Sequence, residues 1–160
     1  MKKFLALLLV TVLLLAGCSV SPKTFTTAGV SLTLDSSFID FTNSKQNTEQ
    51  YPFLYANNKI GILGVQENKA ELAVDFGEHT TESYAELISD LYELNATVQH
   101  KDGFCYYNYN ATVDGESYTY LCIFMDAGAD FWNMQGYCLA ADYAEYQETI
   151  WNFLTSAVFA

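Results

Sequence analysis

Few residues of this chain have the types and spacing that catalysis or metal binding requires. The two histidines, His79 just before a predicted helix and His100 in a predicted loop, are expected to be exposed polar residues, and neither lies at ligand spacing from the other or from a cysteine. The sequence contains no CxxC, HExxH or GxSxG motif and no phosphate-binding glycine loop. A nucleophilic thiolate needs a polar pocket, whereas Cys105, Cys122 and Cys138 lie in apolar segments. We therefore predict that the protein is not an enzyme and has no catalytic residue, no metal site and no cofactor.

A pair of carboxylates is the strongest candidate for a cation site. Asp126 and Asp130 flank the residues Ala-Gly-Ala, so both side chains would lie at one turn. Calcium requires six to eight oxygen ligands, and this spacing does not match an EF-hand loop. A solvated turn explains the pair more simply.

The fourth cysteine, Cys18, follows a short apolar leader. Lys2 and Lys3 precede a largely apolar run of 13 residues at 4–16. A helix of that length is about 20 Å long, too short for the roughly 30 Å hydrocarbon core of a bilayer. The leader is therefore typical of a secretory signal peptide. The stretch LAGC at 15–18 is similar to the bacterial lipobox, and this resemblance implies that Cys18 receives diacylglycerol and acyl chains such as palmitate.

These signals divide the chain into a signal peptide at 1–17, a lipidated tether at 18–23 and a single domain at 24–160. Hydrophobic residues make up 51% of the sequence, which is enough for a sizeable core. Cleavage would remove Lys2 and Lys3 and leave five lysines against 19 acidic residues, a net charge of −14. Because arginine is absent and cations are few, nucleic-acid binding and attachment through a polybasic surface are excluded.

Alternating apolar and polar residues predict strands that are joined mostly by short turns. These elements are, in order, a hairpin at 24–35 around Ala28-Gly29, a helical turn at 36–42, a strand pair at 53–68 around Asn57-Asn58, a hairpin at 103–125 around Asp114-Gly115 and a strand at 130–140. So many hairpins predict an α+β fold with a largely antiparallel sheet of about six strands.

Two longer helices are predicted to flank this sheet. The first runs from Thr81 to about Asn95, with Thr81 as its N-cap and apolar residues recurring every three or four positions. The second begins at Asp142, whose carboxylate would form a capping box with Glu145.

The predicted registers place the three remaining cysteines on one face of the sheet. With Asp114-Gly115 as the turn, Cys105 and Cys122 become diagonal neighbours about 7–8 Å apart, which is too far for a disulfide. If 127–129 form the next loop, Cys138 points to the same face. We therefore predict three reduced cysteines buried under a helix.

Three stretches resemble PsbP-like and DcrB-like domains. FTTAGVSLTLDSSF is similar to their opening hairpin, TTESYAELI to a helix start, and DFWNMQGYCLAADYAEYQETIWNFLTSAVF to their closing strand and helix. The resemblance covers 24–159 and implies an α/β/α sandwich. It also implies binding or assembly roles, since these domains have no common catalytic residues that could be assigned to this chain.

We expect a membrane-tethered, non-catalytic binding or assembly domain at the outer face of a bacterial cytoplasmic membrane, attached through Cys18, with an unidentified protein partner. The alternative is a lipoprotein that binds a cation, a glycan or a small molecule. A deep pocket with convergent polar groups would favour the alternative. A flat aromatic patch of more than a few hundred Å² would favour a protein partner.

Replacement of the lipid-accepting cysteine tests the predicted anchor. Cys18→Ala removes the only thiol at the lipobox, so the precursor should stay uncleaved or the domain should leave the membrane. Labelling of cells with a clickable palmitate analogue, followed by membrane fractionation, measures both effects. Cys105→Ala is the control and should keep the label. Unchanged acylation of Cys18→Ala would refute the lipid site.

Overall fold

The structure is a computed structural model, and it describes residues 20–160. The predicted signal peptide at 1–17 and the predicted lipid site at Cys18 lie outside the described residues. Within the described part of the chain, no helix is long and apolar enough to cross a membrane. The first strand begins at Pro22, inside the predicted tether at 18–23.

Strands and helices alternate along the described chain. They are β1 (Pro22–Thr27), β2 (Val30–Asp35), β3 (Ile39–Asp40), β4 (Phe53–Ala56), β5 (Gly61–Asn68), α1 (Lys69–Phe76), α2 (Thr81–Leu91), β6 (Gln99–Lys101), β7 (Phe104–Val113), β8 (Glu116–Ala127), β9 (Asp130–Leu139), a 3-10 turn (Ala140–Asp142), α3 (Tyr143–Thr155) and β10 (Val158–Phe159).

Antiparallel pairing joins these strands into two sheets. The main sheet has seven strands in the order β3-β4-β5-β9-β8-β7-β6, and the small sheet has the order β1-β2-β10. Neighbouring strands are antiparallel throughout both sheets. The predicted α+β class with a largely antiparallel sheet is therefore confirmed, with seven strands in the main sheet where about six were expected.

Each face of the main sheet is covered by a different layer, because successive side chains of a strand point to opposite faces. On one face, here called the α3 face, α3 and the small sheet bury apolar side chains such as Leu32, Ile123 and Leu154. On the other, here called the α2 face, α2 packs Tyr84 and Ile88 against β7, β8 and β9. The domain therefore has two cores, one on either side of a single sheet.

Two hairpin turns form where the sequence predicts them. Ala28 and Gly29 have φ angles of 49° and 76°, and Asp114 and Gly115 have φ angles of 52° and 85°. Positive φ at both central residues is the type I′ geometry, whose twist matches that of the flanking strands. The predicted strand pair of β4 and β5 also forms.

The predicted helical turn at 36–42 is wrong. Asp35 Oδ1 accepts a hydrogen bond from the Ser37 amide at 2.8 Å, which makes a tight turn there. The residues that follow, Ile39–Asp40, then pair with β4 at the edge of the main sheet. Sheet pairing therefore prevails over the local helical preference.

The helix starts also differ from the prediction. Helix α1 has no counterpart in the sequence prediction, although Asn68 caps it through its side-chain oxygen. Thr80, rather than Thr81, caps α2 and forms a capping box with Ser83. Asp142 makes no side-chain cap, because the 3-10 turn leads directly into α3 and keeps this residue helical.

The cysteine prediction is only partly right. Cys105 and Cys122 lie on the α2 face in the predicted registers. Gly128 and Ala129 form a two-residue turn in place of the expected three-residue loop, with Gly128 at a φ of 73°. This shift of one residue places Cys138 on the α3 face. All three thiols are free, and Cys105 is partly exposed rather than buried.

The close approach of α3 to the main sheet depends on a glycine. A Cβ atom at Gly136 would collide with the Cγ2 atom of Ile150 on α3, which is fully buried. Gly136→Ala should therefore lower the free energy of unfolding by about 1–3 kcal/mol, measured by urea denaturation. In an Ile150→Ala background, Gly136→Ala should cost less than in the wild type, and a double-mutant cycle should give a coupling energy of at least about 0.5 kcal/mol. If the free-energy losses of the two substitutions simply add, the proposed collision between Gly136 and Ile150 is wrong.

Candidate functional site

A cavity of about 610 Å³ lies on the α2 face of the main sheet. Its floor is formed by side chains of β5, β7 and β9, and α2 forms one wall. The loop at 49–52 and the segment after α2 form the remaining walls. A volume of this size is typical of sites for small organic ligands, which run from about 300 to 1,000 Å³.

Strand registers bring polar side chains to the cavity floor. In β5 and β9, Val65 pairs with Asn133, and Glu67 pairs with Phe131. Because side chains alternate along a strand, Val65, Glu67, Asn133 and Phe131 all point to the α2 face. Tyr107 reaches the same face from β7. Three antiparallel pairings, of β5 with β9, β9 with β8 and β8 with β7, therefore place a carboxylate, an amide and a phenol on one face.

Helix α2 contributes a second phenol, that of Tyr84, to the cavity. The capping box between Thr80 and Ser83 fixes the first turn of the helix, one residue before Tyr84. The ring of Tyr84 then stacks on Phe131 at 4.6 Å between ring centroids, with an interplanar angle of 11°. This stack holds the Tyr84 hydroxyl at the cavity.

Two buried polar side chains hold the loops that wall the cavity. Asn47 donates from Nδ2 to the carbonyls of Thr42 and Tyr51, and its Oδ1 accepts from the Tyr51 amide, each at 2.9 Å. On α2, Ser89 Oγ donates to the Ala96 carbonyl at 3.0 Å and accepts from the Ala96 amide at 3.1 Å. The walls are therefore fixed by satisfied hydrogen bonds.

The floor, in contrast, carries polar atoms without partners. Glu67 Oε2, Tyr84 OH, Tyr107 OH and Asn133 Oδ1 are buried and have no hydrogen-bond partner within the described residues. The side chains of Tyr84 and Tyr107 are fully buried, and Asn133 is 3% exposed. A buried polar atom that lacks a partner costs about 1–3 kcal/mol, and folded proteins contain few of them. Four in one cavity are what a site for a hydrogen-bonding ligand requires.

The buried phenols of Tyr84, Tyr107 and Tyr109 stay protonated. Burial raises the pKa of Tyr84, Tyr107 and Tyr109 well above the usual value near 10. The nearby Glu67 carboxylate raises the pKa of Tyr84 further. Tyr109 donates to Gln135 Oε1 at 3.4 Å. The Tyr84 hydroxyl lies close enough to Glu67 for a hydrogen-bond interaction to contribute to its raised pKa, but neither it nor the Tyr107 hydroxyl has a partner in hydrogen-bond geometry among the described residues.

A cysteine and a histidine meet elsewhere, in a pair that the sequence analysis missed. His100 is the register partner of Cys105 across β6 and β7, and its Nδ1 lies 3.7 Å from the Cys105 Sγ. Its Nε2 lies 3.3 Å from Glu82 Oε1. The prediction placed His100 in a loop and so could not show this contact. Burial, and then the Glu82 carboxylate, raise the pKa of the Cys105 thiol, which is the opposite of what an activated nucleophile needs.

The carboxylate pair at the β8–β9 turn is occupied by protein partners. Asp126 Oδ1 lies 2.6 Å from Lys69 Nζ, and this contact lowers the pKa of Asp126. Asp130 accepts hydrogen bonds from Gln66 at 2.8 Å and Asn68 at 3.0 Å. No group of three or more metal-ligating side chains occurs among residues 20–160.

The other histidine, His79, is half-buried. His79 Nδ1 lies 3.2 Å from Ser83 Oγ in the capping region of α2. Its Nε2 is buried without a partner in the described chain, beside a smaller cavity of about 290 Å³ next to α1. His79 is therefore less exposed than the sequence analysis expected.

Comparison with known proteins gives a fold and no family assignment. No family model and no curated protein sequence matches the chain. The solution structure of the cyanobacterial PsbP, CyanoP, from Synechocystis sp. PCC 6803 is similar, with a TM-score of 0.54 and 9% identity over 90% of this chain and 96% of that one. A crystal structure from Bacteroides thetaiotaomicron has a TM-score of 0.53 and 14% identity over 86% of this chain and 48% of that one.

A third structure, LpqN of Mycobacterium tuberculosis, is described as involved in cell envelope biogenesis. It has a TM-score of 0.45 and 10% identity over 90% of this chain and 87% of that chain, which is too low for a conclusion. The similarity to CyanoP confirms the predicted PsbP-like fold. At such low identity it says nothing about the ligand or the partner of this chain.

Sequence reasoning missed the cavity, although a signal for it exists. Glu67 follows Leu63 and Val65 at the alternate, inward-facing positions of a strand. Asn133 lies between Trp132 and Met134 in a strand that is otherwise largely buried. Polar residues at core positions are unusual and would have marked the α2 face.

Removal of an unpartnered hydroxyl should not destabilise the protein. Tyr107→Phe deletes a buried hydroxyl that has no partner, so the free energy of unfolding should stay the same or rise by up to about 1–3 kcal/mol. The control Tyr143→Phe deletes a hydroxyl that donates to Asn108 Oδ1 at 2.8 Å and should lose about 0.5–1.5 kcal/mol. Urea denaturation of both variants measures the difference. Equal losses would show that the Tyr107 hydroxyl is a structural group.

Proposed function

We propose that this protein is a non-catalytic binding domain that holds a small-molecule ligand in the cavity on the α2 face. The observation that carries the proposal is the convergence of four unpartnered polar atoms, from Glu67, Tyr84, Tyr107 and Asn133, on one cavity. An apolar pocket with a few converging polar groups is the usual form of a ligand site.

We further propose that the domain is held at the outer face of a bacterial cytoplasmic membrane by lipid on Cys18. The short leader and the lipobox-like LAGC stretch at 15–18 support this location. Strand β1 begins at Pro22, four residues after Cys18, so the tether would span at most about 14 Å. The domain would then lie close to the membrane surface.

The exposed apolar side chains favour a ligand over a protein partner as the object of binding. Those that are large and exposed belong to many elements: Val20 before β1, Ile39 of β3, Val74 and Phe76 of α1, Leu91 of α2 with the adjacent Tyr92, Val113 of β7, Leu139 of β9 and Val158 of β10. A docking surface usually gathers such side chains into one patch.

The chemistry of the cavity supports a binding role rather than a catalytic one. Its described lining contains no histidine, cysteine or lysine, and its ionisable groups are the carboxylates of Glu67 and Glu49 and the tyrosine phenols. The one cysteine–histidine contact, between Cys105 and His100, involves residues outside the cavity lining and a thiol of raised pKa. We therefore propose that the protein binds its ligand without converting it.

A variant that fills the cavity tests this function. Val65→Phe places a ring in the space beside Asn133, and Gln135→Phe serves if the first variant does not fold. The control Val158→Phe adds the same ring at an exposed position of β10, where the valine is 66% exposed. The full-length protein is incubated with a deproteinised small-molecule extract of the producing cells, and retained compounds are identified by mass spectrometry.

We expect at least one compound to be retained by the wild type and by Val158→Phe and to be lost in the filled variant. A set of retained compounds that is the same in all variants would contradict the proposal. A protein that crosslinks equally to the wild type and to the filled variant, with no such compound, would instead support an assembly role.

A further inference from the structure

The charge of the cavity restricts what it can bind. Glu67 places a carboxylate at the floor with one buried oxygen, and exposed Glu49 lies at the rim. The described lining includes no lysine, arginine or histidine, and none of the four ion pairs formed by the described residues involves Glu67. A buried carboxylate oxygen without a partner is unfavourable, and a cation relieves this most effectively. An anionic ligand is therefore excluded.

The unpartnered atoms are suited to a ligand that is rich in hydrogen-bond donors. Glu67 Oε2 and Asn133 Oδ1 can only accept hydrogen bonds, and the hydroxyls of Tyr84 and Tyr107 can accept as well. A protonated primary amine has three N–H donors and no acceptor. It can therefore pair with three of these four oxygens without leaving a polar atom of its own unsatisfied.

Strand register and the packing of α2 bring the four groups to the same cavity. Asn133 is opposite Val65, so Glu67 is its diagonal neighbour across β5 and β9, at a Cα distance of roughly 7–8 Å. Glu67 and Tyr107 both lie near enough to Tyr84 to raise its pKa. An ammonium nitrogen needs only about 2.7–2.9 Å to each oxygen that accepts from it.

Two tyrosine rings of the cavity, Tyr84 and Tyr109, are already stacked on other rings of the protein and so do not favour a sugar. Sugars stack on the faces of aromatic rings, but Tyr84 already stacks on Phe131, and Tyr109 stacks on Tyr120 at 4.8 Å with an interplanar angle of 10°. These side chains therefore offer hydroxyl edges rather than ring faces. A calcium or magnesium ion is also disfavoured, because Glu67 is the only acidic side chain of the cavity floor.

The remaining space fits an apolar body. Val65 lies beside the polar groups of the floor, Ile88 and Leu94 line the walls, and Tyr92, which is 65% exposed, lies at the mouth. The volume of about 610 Å³ is far larger than an ammonium group alone needs. We infer that the cavity binds a small primary amine, whose ammonium group pairs with Glu67, Tyr84 and Tyr107 while an aliphatic or aromatic body contacts Ile88 and Leu94. This inference rests on the proposed function.

Isosteric pairs of compounds test the inference in the full-length protein. The probes are primary amines and the alcohols of the same shape, such as 2-phenylethylamine with 2-phenylethanol and hexylamine with hexanol, together with methyl glucoside. Isothermal titration calorimetry measures each Kd. At least one amine should bind about tenfold or more tightly than its alcohol, because only the amine pairs with the carboxylate.

Two variants assign this preference to the cavity floor. Glu67→Gln should abolish the preference for amine over alcohol, whereas the control Glu86→Gln, on the exposed side of α2, should keep it. Tyr107→Phe should weaken amine binding severalfold and leave alcohol binding unchanged, which keeps the test valid if Glu67→Gln does not fold.

Three results would overturn the proposed preference of the cavity for amines. Equal affinities for every amine and its alcohol, or binding of methyl glucoside alone, would overturn the amine inference and leave the cavity as a ligand site. An amine preference that persists in Glu67→Gln would overturn it as well. The proposed function itself fails only if the extract also yields no compound whose retention depends on an open cavity.

Discussion

Strand pairing determines which side chains of this protein can meet, because a strand sends successive side chains to opposite faces of its sheet. In β8 and β9 both faces are buried, so each strand supplies two separate cores. A register shift of one residue would exchange these cores completely. The tight turns at Asp114-Gly115 and Gly128-Ala129 fix the registers, and Gly136 lets α3 approach one face closely. The cavity depends on the same registers, since they place Glu67, Asn133 and Tyr107 on the other face.

The two faces of the sheet use their buried positions differently. The α3 face is filled with apolar side chains from both sheets and from α3, which supply most of the buried apolar surface. The α2 face has a smaller core and carries four buried polar atoms without partners. Polar groups of this kind reduce stability and are tolerated where they serve binding. The larger core stabilises the sheet, and the sheet in turn holds the polar floor in place.

The sequence predicts the parts of the fold that depend on local signals. Ala28-Gly29 and Asp114-Gly115 adopt positive φ angles, and both predicted hairpins form, the one around Asp114-Gly115 in the predicted register. The turn after β8 was harder to predict, because a loop of two residues and one of three both fit the sequence, and only the pairing of Ala127 with Asp130 decides between them. Because the loop is one residue shorter than predicted, Cys138 lies in the core on the α3 face and not in the core on the α2 face. The cavity could not be predicted in the same way, since Glu67, Tyr84, Tyr107 and Asn133 come from four elements and no motif connects them.

The charge of the whole domain agrees with the charge of the cavity. Residues 20–160 contain five lysines and 19 acidic residues, so their field attracts small cations and repels anions over about a Debye length, roughly 8–10 Å. Surface charge of one sign raises the local concentration of oppositely charged ligands and their association rate, and salt screens this effect. The ion pair to Glu67 would form at the buried floor, where salt screens it far less. For a cationic ligand, the acidic surface therefore controls how quickly it arrives, and the polar floor controls how long it stays.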